Sequence, residues 1–384
     1  MAYSRNSSSA QTTRTVCDPA MCSGCMACME ICPKNAITIT DSVEHLDASI
    51  DADRCIGCNL CHDVCHELHP VTLEKTIECW QGWADPEVRS NSSSGGLATA
   101  IMQAFVERGG LVSSCKFIDG KFRFVLAHSY EELSGFSGSK YAKSNPDKIY
   151  RLIQAELRQG QRVLFIGLPC QVSALKNFIG RFNHGQLLRG LYSIDLICHG
   201  TPSMKLLHQG IREYGFDLDE ARDVKFRNDI HMGISVDGNM LEPPGCLDPY
   251  LLGFLSGLFY TRNCFFCHYA TEERVGDLTL GDSWGTDMAD ELPKGVSLAL
   301  VQTGKGSALL KMGKLHLFDV DYANAVAHNA QLHSPTELTG RRDVFFKRYH
   351  RTGSVKKAVF AALPTASMKA KAKRILSQIH SRSA

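Results

Sequence analysis

The chain has 384 residues, 44% of them apolar, with a formal net charge of +2; it can form two or three cored domains and is not a disordered polyelectrolyte. The charge is uneven, because residues 341–384 hold 12 Lys and Arg against Asp343 alone, leaving 30 basic and 39 acidic side chains in the rest. Sixteen cysteines, with no apolar signal segment before Val16, predict a cytoplasmic protein whose thiols serve metals or catalysis and exclude a secreted disulfide framework.

In chain order, residues 1–15 read as a disordered lead-in and 16–78 as a small cysteine-rich domain, with a strand at Asn35–Thr40 and another at Val71–Ile77. Residues 79–94 are polar, contain Pro86 and a serine run, and read as a linker. Over 95–340 strands and helices alternate. The pattern gives helix Leu97–Arg108, strand Gly110–Phe117, helix Lys148–Arg158, strand Val163–Ile166, helix Gln171–Ile179 and strand Leu191–Ile197. Such alternation predicts a mostly parallel sheet covered by helices. Leu251–Tyr260 is too short to cross a bilayer and reads as a buried helix. The segment 341–384 reads as a basic C-terminal tail, where Val359, Phe360 and Leu363 precede Lys369, Lys371, Lys373 and Arg374; peripheral membrane contact is one use of such a pattern.

Eight cysteines repeat one spacing: Cys22-x2-Cys25-x2-Cys28-x3-Cys32-Pro33, then Cys55-x2-Cys58-x2-Cys61-x3-Cys65. Closely spaced thiolates converge on one cubane while the fourth cysteine of each run ligates the other cluster, as in bacterial two-cluster ferredoxins. The spacing therefore assigns Cys22, Cys25, Cys28 and Cys65 to one 4Fe-4S cluster and Cys55, Cys58, Cys61 and Cys32 to the second. Structural zinc would use separated Cys-x2-Cys pairs instead. His66 stands where a second proline would follow the second run.

Farther on, Cys170 and Cys198 each follow a predicted strand, and ligands of open α/β sheets bind outside the carboxyl ends of strands. Cys264-Phe-Phe-Cys267 adds a pair, so four thiolates are present for a third 4Fe-4S cluster. Two alternatives stand beside it: a nucleophile at a helix start, and an inert buried thiol. Pro169-Cys170-Gln171 also matches the catalytic tripeptide of DNA cytosine-C5 methyltransferases, but no Phe-x-Gly-x-Gly motif precedes it and no Glu-Asn-Val follows. Cys17, Cys79, Cys115 and Cys246 lie in no shared motif and read as buried thiols.

Clusters carry single electrons and organic substrates take pairs, so a flavin is expected as converter. Ser93, Ser94, Gly95 and Gly96 open a helix and could approach its phosphates, although an ordinary N-cap has the same composition. Ser139, Lys140 and Tyr141 add a cation and a ring in a loop.

Together these residues resemble the family of coenzyme F420 hydrogenase/dehydrogenase beta subunits, in its longer bacterial form with an N-terminal two-cluster ferredoxin domain. The resemblance rests on Ser92-Ser-Ser-Gly-Gly96, Gly138-Ser-Lys-Tyr141, Phe165-Ile-Gly-Leu-Pro-Cys-Gln171, Asp195-Leu-Ile-Cys-His-Gly-Thr-Pro-Ser203, Cys264-Phe-Phe-Cys267 and Asp277-Leu-Thr-Leu-Gly-Asp-Ser-Trp-Gly285. It implies an α/β flavin-binding core that holds FAD and a cluster of its own, placed between the ferredoxin pair and the flavin. Relatives exchange electrons with the deazaflavin F420 or reduce chlorophyll intermediates with ferredoxin electrons, and bacterial forms often sit in polysaccharide gene neighbourhoods. The expected partners are thus a redox protein such as ferredoxin or a partner oxidoreductase subunit, and an organic hydride acceptor, with no nucleic acid. His199 and Lys140 are the candidate proton donors by motif position, His199 equally a support for the Cys198 loop. A non-catalytic electron-transfer subunit is the alternative.

Overall fold

The computed structural model describes residues 14–146, 148–228 and 231–383. Of the expected lead-in, residues 1–13 lie outside the described residues, while Thr15 pairs with Ser49 and so belongs to the folded N-terminal unit. That unit is a two-stranded antiparallel ribbon, β1 (Ile37–Asp41) and β2 (Leu46–Ile50), with short helices Ala27–Ile31 and Leu60–Asp63 carrying the cysteine runs. Alternation in β2 buries Leu46, Ala48 and Ile50 against Ile37 and the cysteines.

The larger unit is built on an eight-stranded sheet. Its strands are β3 (Glu78–Ala84), β4 (Leu111–Ile118), β5 (Lys121–Ala127), β6 (Val163–Gly167), β7 (Leu191–Leu196), and, beyond the antiparallel ribbon β8 (Val224–Asn228), β9 (His231–Val236) and β10 (Asn239–Met240), β11 (Leu278–Asp282), β12 (Ser297–Val301) and β13 (Leu315–Asp319). The order is β13-β3-β12-β11-β7-β6-β4-β5. Strands β11, β7, β6 and β4 are mutually parallel, and antiparallel strands extend both edges of that parallel centre.

Helices cover both faces, which is why the central strands read as unbroken apolar runs. Along β6, Val163 and Phe165 enter a core with helices Ile149–Arg158 and Pro169–Gly180, while Leu164 and Ile166 enter the opposite core with helix Leu97–Glu107. Each such fully buried side chain contributes about 1.5–3 kcal/mol.

Three expectations are corrected. The stretch taken as a linker, 79–94, holds most of β3 and the helix Pro86–Ser90. Strand β3 is an interior strand paired with both β12 and β13, and its polar residues have partners: Gln81 accepts from Ser283 and Thr286 and donates to Asp287. Val71–Ile77 is not a strand; Glu74 alone bridges Arg274 before β3 begins. The basic tail contributes to the core. Helices Gly340–Thr352 and Val355–Ala362 bury Phe345, Phe346, Val355, Ala358 and Val359 against Leu206, Tyr250 and Phe259, and only the helix Pro364–Ser383 lies outermost. The helix Pro249–Leu255 buries Tyr250, Leu251 and Phe254. Among the described residues no helix is long and apolar enough to cross a membrane.

The two units are knitted together. Ala27 and Val64, both fully buried, sit in the same core as Tyr150, Ile153 and Phe178. Between the units Arg151 donates to Glu30, Arg181 pairs with Asp63 at 2.8 Å, and Arg342 pairs with Glu44 at 3.0 Å.

Candidate functional site

Three small cavities are each lined by four of the predicted cysteine ligands. Cys22, Cys25, Cys28 and Cys65 line the first, together with Cys17. Cys32, Cys55, Cys58 and Cys61 line the second. Cys170, Cys198, Cys264 and Cys267 line the third, which lies outside the carboxyl ends of β6 and β7. Four thiols around one cavity are a donor set suited to an iron-sulfur cubane.

Local backbone geometry brings the third set together. Cys170 starts the helix Pro169–Gly180, whose entrance is fixed by Gln171: its side chain accepts from the Leu168 N–H at 2.9 Å and donates to Ser144 Oγ at 2.9 Å. Gly200 has φ +132° and lies against the Tyr260 ring, so a side chain there would be strained and would collide. This lets the Cys198 loop pair with the next segment, where Pro202 bridges Tyr260 and Thr261 N–H donates to Thr201 O at 3.0 Å. The Thr201 N–H in turn donates to Cys264 Sγ at 3.4 Å.

Beneath the loops, Arg274 is almost fully buried, faces Asp195 at 3.3 Å, and donates to Tyr269 O and Leu196 O. One guanidinium thereby ties the segment after Cys267 to the strand before Cys198.

Burial dominates the electrostatics of these thiols. It pushes Cys25 up to about 12 and Cys267 up to about 11, and raises Cys170 and Cys198 further, with neighbouring thiols adding to the effect. A nucleophilic cysteine needs the opposite shift, whereas a bound cation offsets such a cost. Cys17, expected to be inert, lines the first cavity beside Cys22 and Cys65, and its thiol lowers Cys22 and brings Cys65 down to about 7. Its position five residues before Cys22 was the available signal, and it fell outside the repeat.

A larger cavity of about 300 Å³ adjoins the third set. Ser93, Ser94, Gly96, Ser139, Lys140, Tyr141 and His199 line it; Gly95 lies just behind, packed against Gly82 O and Ser297. The helix Leu97–Glu107 begins on Gly96 at φ +83° with no side-chain cap, so its N-terminal dipole opens toward the cavity. The serine hydroxyls are engaged: Ser92 donates to Val88 O, Ser94 to Val296 O, and Ser93 accepts from Ser139 N–H at 2.8 Å. The Lys140 ammonium donates to Phe136 O and Ser137 O, which closes its own loop, and burial lowers its pKa. Exposed His199 also lines the third cysteine cavity.

Sequence reasoning missed Arg227. From β8 it donates to Tyr141 Oη at 2.9 Å and to Ser93 O, and pairs with Asp282 at 3.1 Å, joining three of the quoted motifs. Cys115 lines the same cavity.

Residues 160–321 match the C terminus of the coenzyme F420 hydrogenase/dehydrogenase beta subunit, and residues 21–67 match a 4Fe-4S dicluster domain. Over residues 160–321 the chain is similar to the family of coenzyme F420 hydrogenase/dehydrogenase beta subunits. The cysteines of the first two cavities lie within the match to the dicluster domain, and those of the third fall inside the match at 160–321. Its similar proteins include an uncharacterized protein of Methanocaldococcus jannaschii, 23% identical over 59% of this chain and 72% of that one. The coenzyme F420-dependent sulfite reductase of the same organism is 22% identical over 55% of this chain and 36% of its own length. A subunit of the F(420)H(2) dehydrogenase of Methanosarcina mazei is 22% identical over 49% of this chain and 57% of its own. The chain thus spans 36% and 57% of these two named relatives. A solved chain of the F420-reducing NiFe hydrogenase complex from Methanosarcina barkeri aligns over 73% of this chain and 96% of that one, at 17% identity and a TM-score of 0.49.

Proposed function

We propose that this chain is an iron-sulfur flavoprotein oxidoreductase in which Cys170, Cys198, Cys264 and Cys267 hold a third 4Fe-4S cluster and the adjoining cavity holds FAD. The observation that carries the reading is adjacency: Leu168 and His199 line both the third cysteine cavity and the larger cavity. When bound, the clusters supply single-electron transfer and the flavin supplies hydride exchange with an organic acceptor, F420-like or other.

The chain's own residues support that division of labour. The uncapped start of the helix Leu97–Glu107 attracts an anionic group such as a phosphate, with Lys140 and Arg227 on the same wall. The Arg227 contacts hold Tyr141 and the Ser93 loop at fixed spacing, and Tyr141 stacks on Phe254 at 4.5 Å. His199 is the proton donor at the junction of the two cavities. Lys140, with its ammonium bonded to two carbonyls, orients the loop rather than giving up a proton.

Anaerobically purified protein is expected to contain about twelve irons, four per cluster, and one FAD. Fewer irons, or no flavin, would overturn this assignment.

The exposed segment Ile56–Asn59 beside the second cavity favours one further element, a docking redox protein such as ferredoxin or a partner oxidoreductase subunit. An electron-transfer subunit without its own acceptor is the second reading; turnover by the isolated chain with an artificial donor separates the two. The outermost helix, Pro364–Ser383, exposes Met368 and Ile375 beside Lys369, Lys371 and Lys373, which supports contact with an anionic membrane surface. Vesicle flotation tests it.

A further inference from the structure

His66 occupies the position that Pro33 holds in the first cysteine run, where proline serves only to shape the turn. The structure gives it a different task. Its side chain is buried, at 3% exposure, and both ring nitrogens have partners: Nε2 lies 2.7 Å from Ser23 Oγ and Nδ1 lies 2.9 Å from Tyr269 Oη. The His66 and Tyr269 rings are 5.6 Å apart.

The partners are placed at the two cysteine sets. Ser23 follows Cys22 and His66 follows Cys65, both of the first cavity, while Tyr269 stands two residues past Cys267 of the third. Ser23, His66 and Glu67 line the first and third cavities alike, whereas no residue of the second cavity lines the third. Lys143, on the wall of the third cavity, donates to Ser23 O at 3.2 Å. Burying an imidazole is costly unless both nitrogens are satisfied, and a proline could have made the turn without that cost. Here the cost is offset by a bridge that crosses between the two units.

We propose that His66 is a positioning residue for electron transfer between clusters. The Ser23–His66–Tyr269 bridge fixes the cluster on Cys22, Cys25, Cys28 and Cys65 against the cluster on Cys170, Cys198, Cys264 and Cys267, making the first cluster the exit of the ferredoxin pair. This role rests on the third-cluster reading above. In the step one electron leaves the first cluster, which is oxidised, and arrives at the third, which is reduced. No bond is made or broken, and the imidazole proton stays in its hydrogen bond.

The test uses full-length, anaerobically purified protein and the variants His66→Phe, His66→Gln and Tyr269→Phe. His66→Phe removes both hydrogen bonds at similar volume, the Gln amide can restore them, and Tyr269→Phe breaks the bridge away from the cysteine turn. Iron is counted, magnetic coupling between the reduced first and third clusters is read by electron paramagnetic resonance, and reduction of the third cluster is timed by stopped flow. Each variant is expected to keep about twelve irons. In His66→Phe and Tyr269→Phe the coupling should weaken and the rate fall about tenfold through lost positioning, with recovery in His66→Gln.

Wild-type coupling and rate in Tyr269→Phe, with twelve irons retained, would overturn the role of the bridge and leave the third cluster standing. About eight irons in the parent protein would overturn the third-cluster reading, and this inference with it. If His66→Phe fails to assemble, Tyr269→Phe and His66→Gln decide.

Discussion

The two ferredoxin cavities share one cysteine spacing and differ in almost everything else. Around the first, Cys22, Cys28 and Cys65 are buried, Ala27 and Val64 are fully covered by the α/β unit, and Ser23 and His66 reach toward the third cysteine set. Around the second, residues 56–59 are all exposed, Ile56 at 59%, and Cys58 with them. A repeat that is symmetric in sequence has become directional in structure: one cavity faces inward, the other faces solvent. Ligand spacing specifies what a site holds, while burial specifies which side of it meets the rest of the molecule.

Loss of a ligand from each side gives the largest contrast. Cys28→Ser and Cys58→Ser are each expected to remove about four irons. Only Cys28→Ser should abolish electron delivery to the proposed third cluster from a reductant acting at the first two, because in that reading the inward cavity is the link. Equal loss in both variants would erase the distinction.

The inward side also depends on the buried Arg274. Replacing it with Met strands Asp195, whose carboxylate is fully buried, at a cost of about 3–5 kcal/mol. Differential scanning calorimetry should show the α/β unit melting earlier, with the third cluster lost first because the Leu196 and Tyr269 carbonyls lose their common donor.

On the outward side, Ile56→Asp should raise KM for a protein electron donor about tenfold, as loss of a central apolar contact does at an interface. Reduction by dithionite should be unchanged, since the cluster itself is intact. An equal effect on both donors would mean that the substitution disturbs the cluster and not a docking surface.

The smallest effect concerns pH. Burial alone would raise the Glu44 carboxyl, but hydrogen bonds from His350 and Arg342 outweigh it and hold the pKa below the usual carboxylate value. Its contribution to docking of the β1–β2 ribbon is therefore present above about pH 4.3 and is lost as pH falls through the lower folded-state value. The hydrogen-exchange protection factors of that ribbon, taken against intrinsic rates at each pH, should fall on acidification, and Glu44→Gln should flatten the response.

Much of this organisation was legible in the residues. The cysteine spacing, the β6 and β7 runs and the helices between them are local patterns, and local patterns survive without knowledge of the fold. Strand β3 was not legible because Glu78-Cys-Trp-Gln-Gly-Trp-Ala84 lacks β-branched residues, and its polar side chains find partners in distant segments such as Asp287 and Ser307. The C-terminal helices were misread because twelve basic side chains outweighed Phe345, Phe346, Val355 and Val359 in composition, although those four lie on buried faces. His66 acts through Tyr269, 203 positions away, and Arg227 through Tyr141, 86 positions away; no spacing rule reaches across such separations.

The central claim is that Cys170 holds a cluster that joins the ferredoxin pair to the larger cavity. Iron content and electron paramagnetic resonance of Cys170→Ser test it directly. A fall from about twelve irons to about eight is expected, with the signals of both ferredoxin clusters retained. Loss of activity with all irons in place would contradict it and make Cys170 a nucleophile.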